Sequence, residues 1–108
     1  MAIRYQNLPM LPGATIHSAW LQFTSKDTNN TDPVSLAISC VNTSNAAPFP
    51  TNAYSISALP LLAPTVPWAP PAWTVLNRAG TAERSPELKA LLQALVDKPG
   101  WQAGNAAT

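Results

Sequence analysis

The stretch that decides the fold is Pro67-Trp68-Ala69-Pro70-Pro71-Ala72-Trp73, followed by Thr81 to Pro86 and then by Leu88 to Trp101. Its first part cannot be helical, because five prolines fall in the twelve residues from Pro60 to Pro71, and each removes a donor and fixes φ. Such a stretch permits only short extended segments at an edge or between strands. Leu59, Leu61, Leu62, Val66 and Trp68 are interspersed among these prolines and call for burial. We therefore expect a rigid crossing with one short strand around Val66 and Trp68, in preference to a solvated polyproline ligand.

The last part is one amphipathic helix near residues 86–98. Ser85 is placed to cap it, Pro86 suits a first turn that needs no N–H, and Glu87 complements the positive end of the helix dipole. Leu88, Leu91, Leu92, Leu95 and Val96 repeat at i, i+3, i+4, i+7 and i+8 to form an apolar stripe. Lys89, Gln93 and Asp97 form a wet face opposite. Lys98 lies near the C-terminal end and Pro99-Gly100 stops the helix.

Upstream, the periodicity changes to two. Leu11-Pro12-Gly13-Ala14 is a turn, with Gly13 at the position that needs a positive φ. Thr15 to Thr24 reads as a strand, with Ala19, Leu21 and Phe23 facing one way and Ser18, Trp20 and Gln22 the other. After the polar turn Lys26 to Pro33, Val34, Leu36, Ile38 and Cys40 alternate with Ser35, Ala37 and Ser39 in a second strand, Val34 to Val41. An antiparallel hairpin of these two strands is the expected pairing. Asn42 to Asn52, with small polar residues and two prolines, is not a regular element. The sequence thus predicts a mainly β fold, an antiparallel, jelly-roll-like β-sandwich with one helix, as a single domain over residues 1–108.

Composition narrows the function. Only 10% of the residues are charged, against about 25% on average. Six basic and five acidic side chains leave a net charge of +1, too little to neutralise a row of phosphates, so nucleic acid is a poor partner. A single cysteine, Cys40, excludes an internal disulfide framework. Its alternation with Leu36 and Ile38 makes it a small buried apolar residue. No basic region followed by an apolar one opens the chain, and no run approaches the roughly 18 apolar residues of a membrane span. Neither a signal peptide nor membrane insertion is expected.

The order of these features resembles the DNRLRE-type β-sandwich domain of bacterial surface and secreted proteins and of phage structural proteins. The resemblance runs from about residue 3 to residue 106. It is carried by Pro12-Gly13-Ala14-Thr15-Ile16, Ala19-Trp20-Leu21-Gln22-Phe23, Val34 to Ile38 and Asn45-Ala46-Ala47-Pro48-Phe49. Further on it includes Trp68, Pro71-Ala72-Trp73, Thr81 to Leu88, and a helix closed by Pro99-Gly100-Trp101 and Gly104-Asn105-Ala106. The order and spacing carry it, no single motif being diagnostic. Such domains have more strand sequence before residue 3, and an apolar core strand and a closing strand after the Gly-Asn-Ala. The resemblance implies that a first and a last strand are missing here. Either the sequence is a fragment of a larger protein, or the missing positions are filled by another chain or left open, and an open sheet invites self-association or a protein partner.

Chemical candidates are few. Asp27, Asn29, Asn30 and Asp32 have oxygen-ligand spacing, which makes Asp27, Asn29 and Asp32 a weak candidate Ca²⁺ site. An Asx-rich turn whose side chains cap local backbone accounts for them as well. Asn29-Asn30-Thr31 and Asn42-Thr43-Ser44 match the glycosylation pattern. His17 is the only histidine and has neither a nucleophile nor an orienting carboxylate to work with, so no catalytic residue is nominated. Glu83 and Glu87 read as cap and dipole residues, with Arg84 as an ion partner. Of the four tryptophans, Trp68, Trp73 and Trp101 read as structural and Trp20, on the polar side of its strand, as exposed or at an interface. Trp20, His17 and Gln22 are the candidate interface residues, and an exposed Trp face can also stack on a sugar ring.

These readings predict a non-enzymatic structural or assembly protein without a cofactor, such as a phage decoration or fibre component, at a virion or extracellular surface. It would associate through open sheet edges. The alternative is a carbohydrate-binding or adhesive module of a secreted bacterial protein.

Overall fold

The structure is a computed structural model that describes residues 1–29 and 32–108. Among the described residues, β1 spans Leu36–Val41, β2 spans Leu61–Trp68 and α1 spans Lys89–Val96. The chain is mostly non-helical, with one two-stranded antiparallel sheet and one short helix.

The expected hairpin does not form: β1 pairs with β2, and Thr15 to Thr24 contains no regular strand. Residues 19–23 instead run antiparallel to residues 83–88. Phe23 N–H donates to the Glu83 carbonyl at 3.0 Å, Ser85 N–H to the Leu21 carbonyl at 2.9 Å and Leu88 N–H to the Ala19 carbonyl. Between these bonds, side-chain oxygens replace backbone carbonyls. Leu21 N–H donates to Ser85 Oγ at 2.9 Å and Ala19 N–H to Glu87 Oε1. Only Gln22 and Arg84 form a true bridge. Alternating polarity was the right signal for a half-buried extended segment, but its pairing partner lies far along the chain and is too irregular for a ladder.

The register of the sheet is Leu36 to Trp68, Ala37 to Pro67, Ile38 to Val66 and Ser39 to Thr65, with an irregularity before Val41 to Leu61. Pro67 has no N–H, so its pair with Ala37 is of the non-hydrogen-bonded type and both residues turn their backbone groups away from the partner strand. Val41 continues this parity, because its N–H points outward and donates to the Thr108 carbonyl at 2.9 Å. The expected strand around Val66 and Trp68 is therefore present and longer than its prolines suggested. They are tolerated because, among the described residues, β2 has a strand neighbour on one side only.

Residues 104–108 lie between two other segments. Tyr5 and Ala107 exchange backbone bonds at 2.8 and 2.9 Å, Leu8 N–H donates to the Asn105 carbonyl, and Ala46 N–H donates to the Ala106 carbonyl. The Leu11 to Ala14 turn closes as expected, with Ala14 N–H on the Leu11 carbonyl at 3.1 Å and Gly13 at φ 71°.

The helix is shorter than its sequence signals suggest, and Ser85 does not cap it. Leu88 occupies the N-cap position without a side-chain cap bond, since Ser85 Oγ is committed to Leu21 and to the Pro86 carbonyl. Glu87 Oε1 accepts the Lys89 N–H at 3.0 Å instead. The apolar stripe is buried as expected, from Leu88 and Leu91 to Leu95 and Val96, with Leu95 fully enclosed. It packs with Cys40, Trp101 and Ala107, and Ile38, Leu62 and Val66 bring the inner sheet face against the same core. Gln93, expected on the wet face, is half-buried. It accepts from Ile16 N–H and donates to the Ala14 carbonyl, both at 2.8 Å, and so fastens the extended segment to α1. The radius of gyration is 15.1 Å, above the roughly 13 Å of a compact chain of this length. The molecule is a slab of 42 × 36 × 23 Å.

Candidate functional site

At the Leu36–Trp68 end of the sheet, the inner face runs out of the core into an open apolar cleft of about 380 Å³. Phe23, the last inward residue of the 19–23 segment, stacks on Trp68 with ring centroids 5.8 Å apart and an interplanar angle of 22°. Trp73 lies tilted against Phe23 at 6.3 Å, and its indole N–H donates to the Ala82 carbonyl at 3.1 Å. Met1, Val34, Leu36 and Pro70 complete the walls, and Val34 and Leu36 are 41% and 45% exposed. These walls carry no acidic, basic or nucleophilic side chain, and what their side chains offer is an apolar surface.

The back wall is held by a buried polar knot. Ser25 is completely enclosed. Its hydroxyl donates to the Val75 carbonyl and accepts the Arg78 N–H, its own N–H donates to the Arg78 carbonyl, and its carbonyl accepts the Asn77 N–H. This spans the left-handed turn at Asn77, φ 58°, and fixes the strand-like segment that carries Phe23 to the loop after Trp73. Nearby, Glu83 is 1% exposed. Its carboxylate accepts the Gly80 N–H at 2.9 Å and faces the Arg78 guanidinium at 3.8 Å. Glu83 is thus a loop clamp, not a cap or dipole residue, and its ion partner is Arg78, not Arg84.

Trp20 is 47% exposed, as expected, but Arg84 lies over its ring at 4.7 Å. The same Arg84 donates to Gln22 Oε1 at 3.2 Å, while Gln22 Nε2 donates to the Gly80 carbonyl at 2.9 Å. Arg84 therefore gathers Trp20 and Gln22, whereas His17 is exposed and forms no bond to the described residues. The Gln22 amide is spent on intramolecular bonds.

Asp27 Oδ1 accepts the Asn29 N–H at 2.8 Å, the geometry of an Asx turn. Asn30, and with it the middle of the Asn29-Asn30-Thr31 pattern, lies outside the described residues. Among the described residues, no three of His, Cys, Asp and Glu group to hold a metal ion. Thr24, Lys26, Asp27, Asn29 and Trp73 line an open depression of about 600 Å³ beside the apolar cleft, a mostly apolar surface edged by polar side chains. Cys40 is buried, and burial pushes its thiol from 9.0 up to about 11, an effect partly offset by a hydrogen bond from the Val41 backbone. Such a thiol is inert at neutral pH.

Sequence reasoning missed the polar anchors. The sequence does not single out Ser25, it suggests cap or dipole duty for Glu83, and it places Gln93 on the wet face of the helix. Asn45 and Asn105 pin the 104–108 segment through Asn45 Oδ1 to Ala106 N–H and Asn105 Nδ2 to the Ser44 carbonyl, both at 2.9 Å. Among the described residues, no helix is long and apolar enough to cross a membrane. No protein-family model matches the chain, and neither the curated proteins nor the solved structures give a significant match.

Proposed function

We propose that this chain is a non-enzymatic assembly protein whose unfinished sheet is completed by association, as a component of a particle or surface filament. The observation that carries this reading is the open apolar cleft at the end of a sheet that has two strands among the described residues. The core covers the inner sheet face at Ile38, Leu62 and Val66 but leaves Val34 and Leu36 exposed, and a further strand beside β1 would bury that apolar surface. The chain then belongs to a β-sandwich plan of the DNRLRE type, with its sheets finished between molecules. The order of sequence features supports that plan, as does the inward alternation of Ile38 and Cys40. The test is hydrodynamic: light scattering coupled to size exclusion should give a defined oligomer. A monomer at all accessible concentrations would refute the proposal.

The depression beside Trp73 favours a second reading, a glycan-binding module. Trp73 offers apolar ring surface, and Lys26, Asp27 and Asn29 offer hydrogen-bonding groups around it. It would move the platform from Trp20, one face of which Arg84 covers, to Trp73. A glycan array separates the two readings, since binding that survives Lys26→Ala and Asn29→Ala together would remove this site.

A further inference from the structure

The two outer edges of the sheet differ in a way that selects a partner. On β2 the outward position at the Trp68 end is Pro67, which has no donor to offer a further strand, and Pro64 interrupts the strand near its middle. On β1 the equivalent outward residue is Ala37, followed by Ser39. Their N–H groups have no partner among the described residues. Natural edge strands are protected by proline, inward charge or lysine, and β2 is protected in this way. From Val34 to Val41, β1 carries neither a charge nor a proline. Ala37 is exposed and Ser39 half-buried. Only Val41, whose N–H is held by the Thr108 carbonyl, is already satisfied.

Resting on the assembly reading above, the geometry points to a second copy of this chain as the occupant. Its β1 lies antiparallel to this β1 about a two-fold axis at Ala37. In that register Ala37 meets Ala37, and Ser35 meets Ser39 in both directions. Each of these pairs exchanges an N–H and a carbonyl, because both members turn their backbone groups outward. A two-fold axis requires a surface that complements itself, and an uncharged strand with its free groups on alternate residues does so without like-charge repulsion. The inward side chains agree with this register. Leu36 falls opposite the second copy's Ile38, so an exposed wall of the cleft gains an apolar neighbour, and the pairing ends before Cys40 and Val41, where the Thr108 carbonyl already lies. The result is a four-stranded sheet, β2–β1–β1–β2, with a proline-blunted strand at each outer edge.

Three forms of the 108-residue protein test this. Ala37→Pro removes the outward donor while leaving the β1–β2 bonds intact, because it faces Pro67 across a pair that makes none. Two donors are lost per dimer, so dimerisation should weaken about 30-fold or more, with an unchanged far-UV spectrum and thermal midpoint of the separated chain. Ala37→Lys places like charges across the axis and should act in the same direction. Ala37→Cys with Cys40→Ser should form an intermolecular disulfide on oxidation, since facing residues in such a pair lie about 5.5 Å apart between Cα atoms, within disulfide reach. Thr65→Cys with Cys40→Ser, on β2, should not. An oligomer that ignores both Ala37 changes and does not cross-link would overturn this edge while leaving the assembly reading standing. A protein that is monomeric throughout would overturn both. A monomer whose Ala37 and Ser39 amides resist hydrogen exchange has its edge covered from within its own chain, which also overturns the second copy.

Discussion

Replacing Ser25 by Ala deletes one oxygen from a site that solvent does not reach. The hydroxyl serves two backbone groups at once, the Val75 carbonyl and the Arg78 N–H, the latter at 3.0 Å. Alanine leaves both without a partner and leaves too little space for water. An orphaned buried donor costs about 1–3 kcal/mol and a carbonyl with a second lone pair rather less, so the expected loss is about 2–4 kcal/mol. For a domain of this size that corresponds to a fall of roughly 10–20 °C in the thermal midpoint. Urea unfolding followed by tryptophan fluorescence measures the free energy. Hydrogen exchange locates the loss, which should fall first on the amides of Asn77 and Arg78. Ser18→Ala, at an exposed position, is the control and should change stability by less than about 0.5 kcal/mol. If Ser25→Ala behaves like Ser18→Ala, the buried knot does not hold the 75–78 loop and the account of the cleft wall is wrong.

Three further perturbations test the core and its periphery. Cys40 titrates at about 11 in the folded chain against 9.0 for the free thiol. Its contribution is therefore complete below pH 9 and is lost as pH rises toward 11, on the order of 2 kcal/mol. The excess fall in urea stability between pH 8 and 10.5, relative to Cys40→Ala, should show it, and parallel curves would contradict it. Leu95→Ala opens a cavity at the most enclosed leucine and should cost about 2–5 kcal/mol. A cost under about 1 kcal/mol would mean that α1 is not seated on the core. Tyr54 holds φ 62° while 85% exposed, so Tyr54→Asn should relieve strain and stabilise by about 0.5–1 kcal/mol. Destabilisation in thermal melts would show that the ring has a role.

What the sequence made legible was periodicity. The five-residue stripe of α1, the burial of Cys40, the turn at Gly13 and the extended character of residues 61–68 all follow from local spacing and the fixed preferences of proline and glycine. Strand pairing was not legible. Residues 19–23 and 36–41 alternate in the same way, and nothing local says that one meets residues 83–88 and the other residues 61–68. Short polar side chains hid the rest. Ser25 and Ser85 look like loop or cap residues because serine suits both, and only the tertiary fold reveals which backbone groups their hydroxyls satisfy. Glu83 was misread for a related reason. A carboxylate three residues before a proline at the expected helix start suggests dipole duty, yet the loop at Gly80 folds back and claims it. For the candidate site, Trp20 was correctly placed in solvent. The Phe23, Trp68 and Trp73 cluster, by contrast, joins three segments that only the fold brings together.

Pro67 sets a valence. An edge that accepts another strand and then presents a fresh accepting edge grows without limit, which is how fibres form. Here the strand that accepts is backed by one that keeps an outward donor at Thr65 but has none at Pro67, so a pairing event through β1 consumes the better template of both molecules and leaves the proline-bearing strands outermost. Strand addition then terminates at two. A filament built from this chain would have to propagate through side-chain surfaces such as the Trp20–Arg84 face, and replacing Pro67 with a residue bearing an N–H would turn a terminator into a link.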